Sequence, residues 1–343
     1  MHCIKSWDAM IDGHGDDLFR FPGIVKHNFS SNIFSRVDHT ALLAHLAACG
    51  DDILHYPEPR AYSLESMLAA EAGIDARHLL VTNGATECIY IIAQMMRDKR
   101  AAIVAPAFRE YEDACALNHL IVSWHESLAE AMKVSPDLVW ICNPANPTGH
   151  VTPREHILDI VSAYPSTLFV VDQAYADYTL LPVLTPQQSV ERGNVIMLSS
   201  LTKRFAVPGL RIGYAIGCVD RLAEYLKPWS VSSVAIAAAK YLVEHKADYP
   251  IDAAMLHNQA LMLSARFQQL GIAVSPTDCN FILCRLPHGT AADLKEWLVS
   301  NYGILIRDAS NFHGLSPAHF RVAAQTIPEN ELLIKAVSQW IGL

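Results

Sequence analysis

Residues 198–214 read LSSLTKRFAVPGLRIGY. An apolar run ends in two hydroxyls, Ser199 and Ser200; Thr202 and Lys203 follow at once, and Arg211 stands eight residues past the lysine. A lone lysine after a strand is ordinarily a solvated strand end. Here the hydroxyls, lysine and arginine are gathered with no carboxylate in the stretch. Such a group can hold an anion beside a nucleophilic amine, and the rest of the chain decides whether it does.

Around this motif, short apolar runs alternate with segments of helical period. The pattern predicts an α/β fold with a mostly parallel central sheet covered by helices. Strands are expected over 78–83, 101–107, 120–126, 137–143, 167–174, 194–200 and 211–217, with helices in ATECIYIIAQMMR and TPREHILDIVSAY between them. Several strands end in polar residues, where an open α/β sheet places its ligands. After KPWSVSS the texture changes to two long helical stretches and then a mixture of short strands and helices, a smaller α+β domain. The expected division is an N-terminal arm over 1–45 that packs on the small domain, a large domain over 46–232 and a small domain over 233–343.

The chain of 343 residues is 51% hydrophobic, enough to bury a large core. Its net charge of −9 argues against nucleic acid as a partner, so any anion must be caught by a local basic cluster. The eight cysteines are scattered through apolar runs without a CxxC pair, which reads as core residues in a reducing compartment and offers no metal site. No run has the length of a membrane span or the make-up of an export signal, so a cytoplasmic enzyme is expected.

A lysine at a strand end beside hydroxyls and an arginine can condense with an aldehyde while its neighbours hold a phosphate on the same molecule. Pyridoxal 5'-phosphate carries both groups, and its ring nitrogen calls for a carboxylate. FVVDQAY supplies Asp172 after four apolar residues; taken alone, a buried aspartate paired with a structural cation is the commoner case. Tyr175, three residues on, can hydrogen-bond the cofactor's phenolate oxygen. In CNPANPTG, turn chemistry alone explains the asparagines, yet Asn146 is placed to donate to that same oxygen. TNGATE runs a glycine turn into a helix start, where free N–H groups favour a phosphate. APAFREY offers Phe108 and Tyr111, with core packing as the commoner role for either ring.

Taken in order, NGATE, APAFREY, NPANPTG, DQAY and SSLTKRFAVPGLRIGY resemble the motifs of fold type I pyridoxal-phosphate enzymes, the aspartate aminotransferase superfamily. The resemblance covers essentially the whole chain. It implies that Lys203 holds the cofactor aldehyde covalently, Asp172 pairs with the ring nitrogen, Asn146 and Tyr175 meet the phenolate oxygen, and Phe108 stacks on the ring. Ser200, Arg211 and the region of Ala85 and Thr86 would hold the cofactor phosphate. Tyr56, in HYPEPRAY, matches a family tyrosine that reaches the phosphate of the neighbouring subunit, which implies a homodimer.

Within that superfamily the chain resembles threonine-phosphate decarboxylases of cobalamin biosynthesis and, next, histidinol-phosphate aminotransferases. GHG at 13–15, FSSNI, KPWSVSS and ILIRDASNFHGL followed by HFRVAA tilt the resemblance to the decarboxylases. It implies substrate contacts from His14, Gly15, Asn32, Asn146, Arg307 and Arg321, and a phosphorylated amino acid as substrate. An amino-acid phosphate brings a carboxylate and a phosphate, and both suit arginine. Gln173 in place of the usual glutamate, and GDD after His14, depart from the pattern on the substrate side. Two rivals fall away. Ser200 to Lys203 also reads S-x-x-K, but the SDN and KTG partners of penicillin-recognising enzymes are absent. A regulator module would need a DNA-binding segment, and nothing before residue 30 is basic enough.

Overall fold

The computed structural model describes residues 16–342. The strands are numbered in chain order: β1 His27–Asn28, β2 Leu79–Asn83, β3 Arg100–Val104, β4 Ile121–His125, β5 Leu138–Cys142, β6 Leu168–Asp172, β7 Val195–Ser200 and β8 Ile212–Gly217. Further on come β9 Ala273–Val274, β10 Phe281–Arg285, β11 Ile304–Leu305, β12 Arg307–Asp308 and β13 His319–Ala323.

The larger sheet has seven strands in the order β2-β8-β7-β6-β5-β3-β4. β3 to β7 run parallel, and β8 is antiparallel to both its neighbours. Every residue of β5 is buried, and in β6 all but the first. Strands covered by helices on both faces carry continuous apolar runs, which is why LVWIC and LFVVD show no alternation. The helix Gly84–Met95 turns Cys88, Ile89, Ile91 and Ile92 inward onto one face, while Ile157 and Val161 of the helix Arg154–Ala163 cover the other.

The second sheet, β12-β13-β10-β9, is antiparallel and packs against the helices Ala253–Gln269, Ala291–Tyr302 and Ile327–Ile341. The last of these starts with a capping box between Thr326 and Glu329 and a proline in its first turn. The run 303–308 divides between two sheets: Ile304 and Leu305 pair in parallel with His27 and Asn28, whereas Arg307 and Asp308 pair with β13. Its apolar texture predicts strand but not the partner, which comes from the N-terminal arm.

That arm is tied down by charge as well as by pairing. Burial works against the Glu329 carboxylate, yet hydrogen bonds from Arg36, Thr326 and His27 hold it down at about 2. Lys295 donates to Asp17 at 2.7 Å, both side chains nearly buried. So anchored, the arm brings Ser30 and Ser31 to the gap between the two sheets.

Removing one member of a buried ion pair strands its partner. Asp17→Ala is expected to lower unfolding free energy by about 3 kcal/mol, read by urea denaturation; a change within error would place that pair in water.

Candidate active site

The C-terminal ends of β5, β6 and β7 meet the arm and the smaller sheet around a cavity of ≈ 410 Å³. Open α/β sheets bind ligands at this edge. Asp172 is the last residue of β6, and Ser200 the last of β7; the short helix Leu201–Arg204 then lifts Lys203 over the opening.

Lys203 donates from Nζ to the Ser31 carbonyl at 3.0 Å and lies 5.8 Å from the Tyr175 ring centre. Burial, together with the charges of Arg321 and Arg211, pulls its pKa down to about 8, against the opposing pull of Asp16 and Asp172. About a tenth of the amine is therefore uncharged at pH 7, far more than for an unshifted lysine, and that is the form that attacks a carbonyl. Asp172 is 5% exposed. Burial raises its pKa, while a hydrogen bond from the Tyr111 hydroxyl at 2.6 Å, the Ala174 N–H at 3.0 Å and the charge of Lys203 oppose that shift. The structural cation that ordinarily explains a buried aspartate is missing among its described hydrogen-bond partners.

At one end of the cavity, donors converge. Ala85 and Thr86 open the helix Gly84–Met95, whose first N–H groups have no intrahelical partner. Ser200, Thr202 and Arg211 line the same end. Arg211 sits just outside the strand predicted to begin with it, in a left-handed turn at φ 54. That turn brings its guanidinium so close to Gly84 that a Cβ there would stand 2.6 Å from Nη2. At Gly213 a Cβ would meet the Ala85 nitrogen at 2.3 Å. Both glycines keep backbone and guanidinium packed around a small concavity ringed by donors, which suits a phosphate.

The other end is cationic. Arg307 and Arg321 are directly opposed across β12 and β13, 5% and 4% exposed. Arg307 donates to Asn311 Oδ1 at 2.9 Å. Arg321 bonds Asn146 Oδ1 and the Ser30 carbonyl, and its Nε is buried with no protein partner. A neighbouring glutamate, the ordinary partner for a strand arginine, is not there: no carboxylate lies within ion-pair distance of Arg321 among the described residues. Burial pulls its pKa down to about 10, helped by Arg307.

The cavity thus brings together Ala85, Thr86, Phe108, Asn146, Asp172, Tyr175, Ser200, Lys203, Arg211, Arg307 and Arg321 of the residues singled out in the sequence. Phe108 meets Tyr111 edge-on, with ring centres 6.0 Å apart. Asn32 is fully buried beside Tyr175, at φ 59, and neither amide atom makes a hydrogen bond of ordinary geometry. Tyr56 does not line the cavity; it is 86% exposed and lies against Trp229. His14 and Gly15 fall outside the described residues. Sequence reasoning missed Asp16, Glu110 and Phe312, all cavity-lining. GDD after His14 was the one available signal for Asp16, whose carboxylate accepts from Asn28 at 2.7 Å and from the Leu18 N–H at 3.1 Å.

The model of the "Aminotransferase class I and II" family matches residues 25–337. The chain belongs to this family. The crystal structure of L-threonine-O-3-phosphate decarboxylase from Porphyromonas gingivalis superposes with a TM-score of 0.89 at 37% identity, covering 92% of this chain and 100% of that one. A threonine-phosphate decarboxylase of Salmonella typhimurium is 29% identical over 311 residues, 84% of this chain and 83% of that one. A histidinol-phosphate aminotransferase of Caldanaerobacter subterraneus subsp. tengcongensis is 29% identical over 310 residues, 83% of this chain and 84% of that one. Pyridoxal phosphate is the family's cofactor, and the donor set fits it: an aldehyde-seeking amine, a buried carboxylate and a phosphate cradle.

Gly213→Ala pushes the helix start away from that cradle. Its dissociation constant for pyridoxal phosphate, followed by absorbance, is expected to rise at least about tenfold from the loss of one charge-assisted contact; an unchanged constant would move the phosphate elsewhere.

Proposed function

We propose that this chain decarboxylates L-threonine O-3-phosphate to (R)-1-aminopropan-2-yl phosphate and CO₂, a step of cobalamin biosynthesis, with pyridoxal phosphate as cofactor. One observation carries the reading: two buried arginines stand side by side in the wall of a pocket that already holds Lys203 and Asp172. Two like charges so close call for two anionic groups. An O-phosphorylated amino acid brings both on one molecule, whereas histidinol phosphate brings one. The likeness to the Porphyromonas gingivalis decarboxylase over the whole of that chain supports the same substrate.

Bound in this pocket, pyridoxal phosphate supplies an aldehyde for the substrate amine and a protonated ring that draws in an electron pair released at Cα. The chain's own groups do the rest. Ser200, Arg211, Ala85 and Thr86 would hold the cofactor phosphate, Phe108 would pack on the ring, Asn146 and Tyr175 would serve its phenolate oxygen, and Asp172 would pair with its nitrogen. Arg307 and Arg321, with Asn32, His14 and Gly15, take the substrate's carboxylate and phosphate. The bond from Cα to the carboxylate breaks, CO₂ leaves, and the electron pair left behind takes a proton at Cα. Lys203, with its pKa near 8, can carry that proton.

We also infer a homodimer. Ile53, Leu54, Tyr56 and Trp229 leave large apolar side chains in water, a surface that a second copy would cover. Tyr56 lies within that surface, in line with a reach into the partner's phosphate site. The free cysteines agree with a cytoplasmic setting, and no helix of the described residues is long and apolar enough to cross a membrane.

Protein loaded with pyridoxal phosphate is expected to release one CO₂ per O-phosphothreonine consumed, with aminopropanol phosphate as the other product. Glutamate formed from 2-oxoglutarate and histidinol phosphate, without CO₂, would overturn the reading in favour of an aminotransferase. Lys203→Ala should abolish turnover and the visible band of the bound cofactor; full activity in that variant would remove the lysine from the chemistry.

A further inference from the structure

Tyr111 lies in the first turn of the helix Glu110–Leu117, fully buried. Its ring stacks on Trp140 of β5, with centres 5.0 Å apart and planes 9° apart, and Phe108 abuts its edge. Held on both sides, the phenol has little freedom left, and its hydroxyl ends 2.6 Å from Asp172 Oδ2. The Ala174 N–H takes the other carboxylate oxygen at 3.0 Å. A buried tyrosine hydroxyl usually finds an acceptor. Here the acceptor is the carboxylate that faces the cavity.

We propose that Tyr111 is a positioning residue that fixes the plane of the Asp172 carboxylate and holds it as an anion toward the cofactor's ring nitrogen. The proposal rests on the reading of Asp172 as that nitrogen's partner. A short hydrogen bond from a neutral donor favours the charged acceptor. Burial pushes the phenol's own pKa well above its ordinary value, with the charge of Asp172 adding to the shift, so Tyr111 remains a donor throughout the working pH range. The other titratable groups around Asp172 are the Cys88 and Cys142 thiols, both pushed well up by burial, the Tyr175 phenol and Lys203. Of these side chains, Tyr111 is the one that hydrogen-bonds the carboxylate. The arrangement parallels the outer partners that orient a metal ligand.

Without the hydroxyl, Asp172 takes up a proton more readily. The anion that pairs with a protonated ring is then lost at a higher pH as the solution is acidified. The test is the dissociation constant of the full-length protein for pyridoxal phosphate as a function of pH, for the wild type, Tyr111→Phe and Asp172→Asn. Phenylalanine keeps the stack on Trp140, so thermal unfolding should change little. The expected result is affinity weaker by about tenfold at neutral pH, as for loss of one hydrogen bond to a charged group. The pH below which affinity falls should also move up by about one unit or more. An unaltered affinity in Tyr111→Phe, or one weakened equally at every pH, overturns the proposal while leaving Asp172 in place. If Asp172→Asn also binds with unaltered affinity and pH dependence, the reading of Asp172 itself falls.

Discussion

Arg307 and Arg321 are forced into register on adjacent antiparallel strands, and both are buried. Directly opposed like charges destabilise a sheet, and a buried cation needs compensating dipoles or anions. Much of the surrounding structure meets that need. The Ser30 carbonyl and Asn146 Oδ1 accept from Arg321, Asn311 accepts from Arg307, and Asp16 and Asp17 bring negative charge from the arm. The same field reaches Lys203 and, with burial, lowers its proton affinity. Arg321 thus belongs both to the anion site of the cavity and, with Arg211, to the field on its amine.

The two ends of the cavity have different origins. The cofactor end is built from turns at the edge of the seven-stranded sheet, where Gly84 and Gly213 permit contacts that no side chain would allow. The substrate end is assembled from the arm and the four-stranded sheet, with the arm held in place by the pairing of β1 with β11 and by Glu329 and Lys295. Asp16 lines the cavity with Arg307 and Arg321, an acid among arginines.

The parallel core was legible in the sequence because buried strands such as LVWIC and LFVVD carry uninterrupted apolar runs between segments of helical period. Asp172, Ser200 and Lys203 were legible because each ends or follows such a run, and their order resembled a known family. Long-range partners were not. Nothing in the spacing of Arg307 and Arg321 says that they face each other, since register depends on the loop between β12 and β13 closing at one length. Tyr111 looked like core, and its hydroxyl's aim at Asp172 depends on the stack with Trp140, a residue of β5 distant in sequence. The arm's own pairing with β11 was equally invisible, because two-residue strands leave no period to read.

The central claim is that the buried arginine pair selects a substrate with two anionic groups. Calorimetry on cofactor-loaded Lys203→Ala protein, in which turnover is blocked, tests it by comparing O-phosphothreonine with threonine. The account predicts that O-phosphothreonine binds at least about a hundredfold tighter, as expected for a desolvated guanidinium that gains a second ionic partner, and that Arg307→Met or Arg321→Met removes most of the difference. Equal affinities for the two compounds, with the arginines intact, would contradict it.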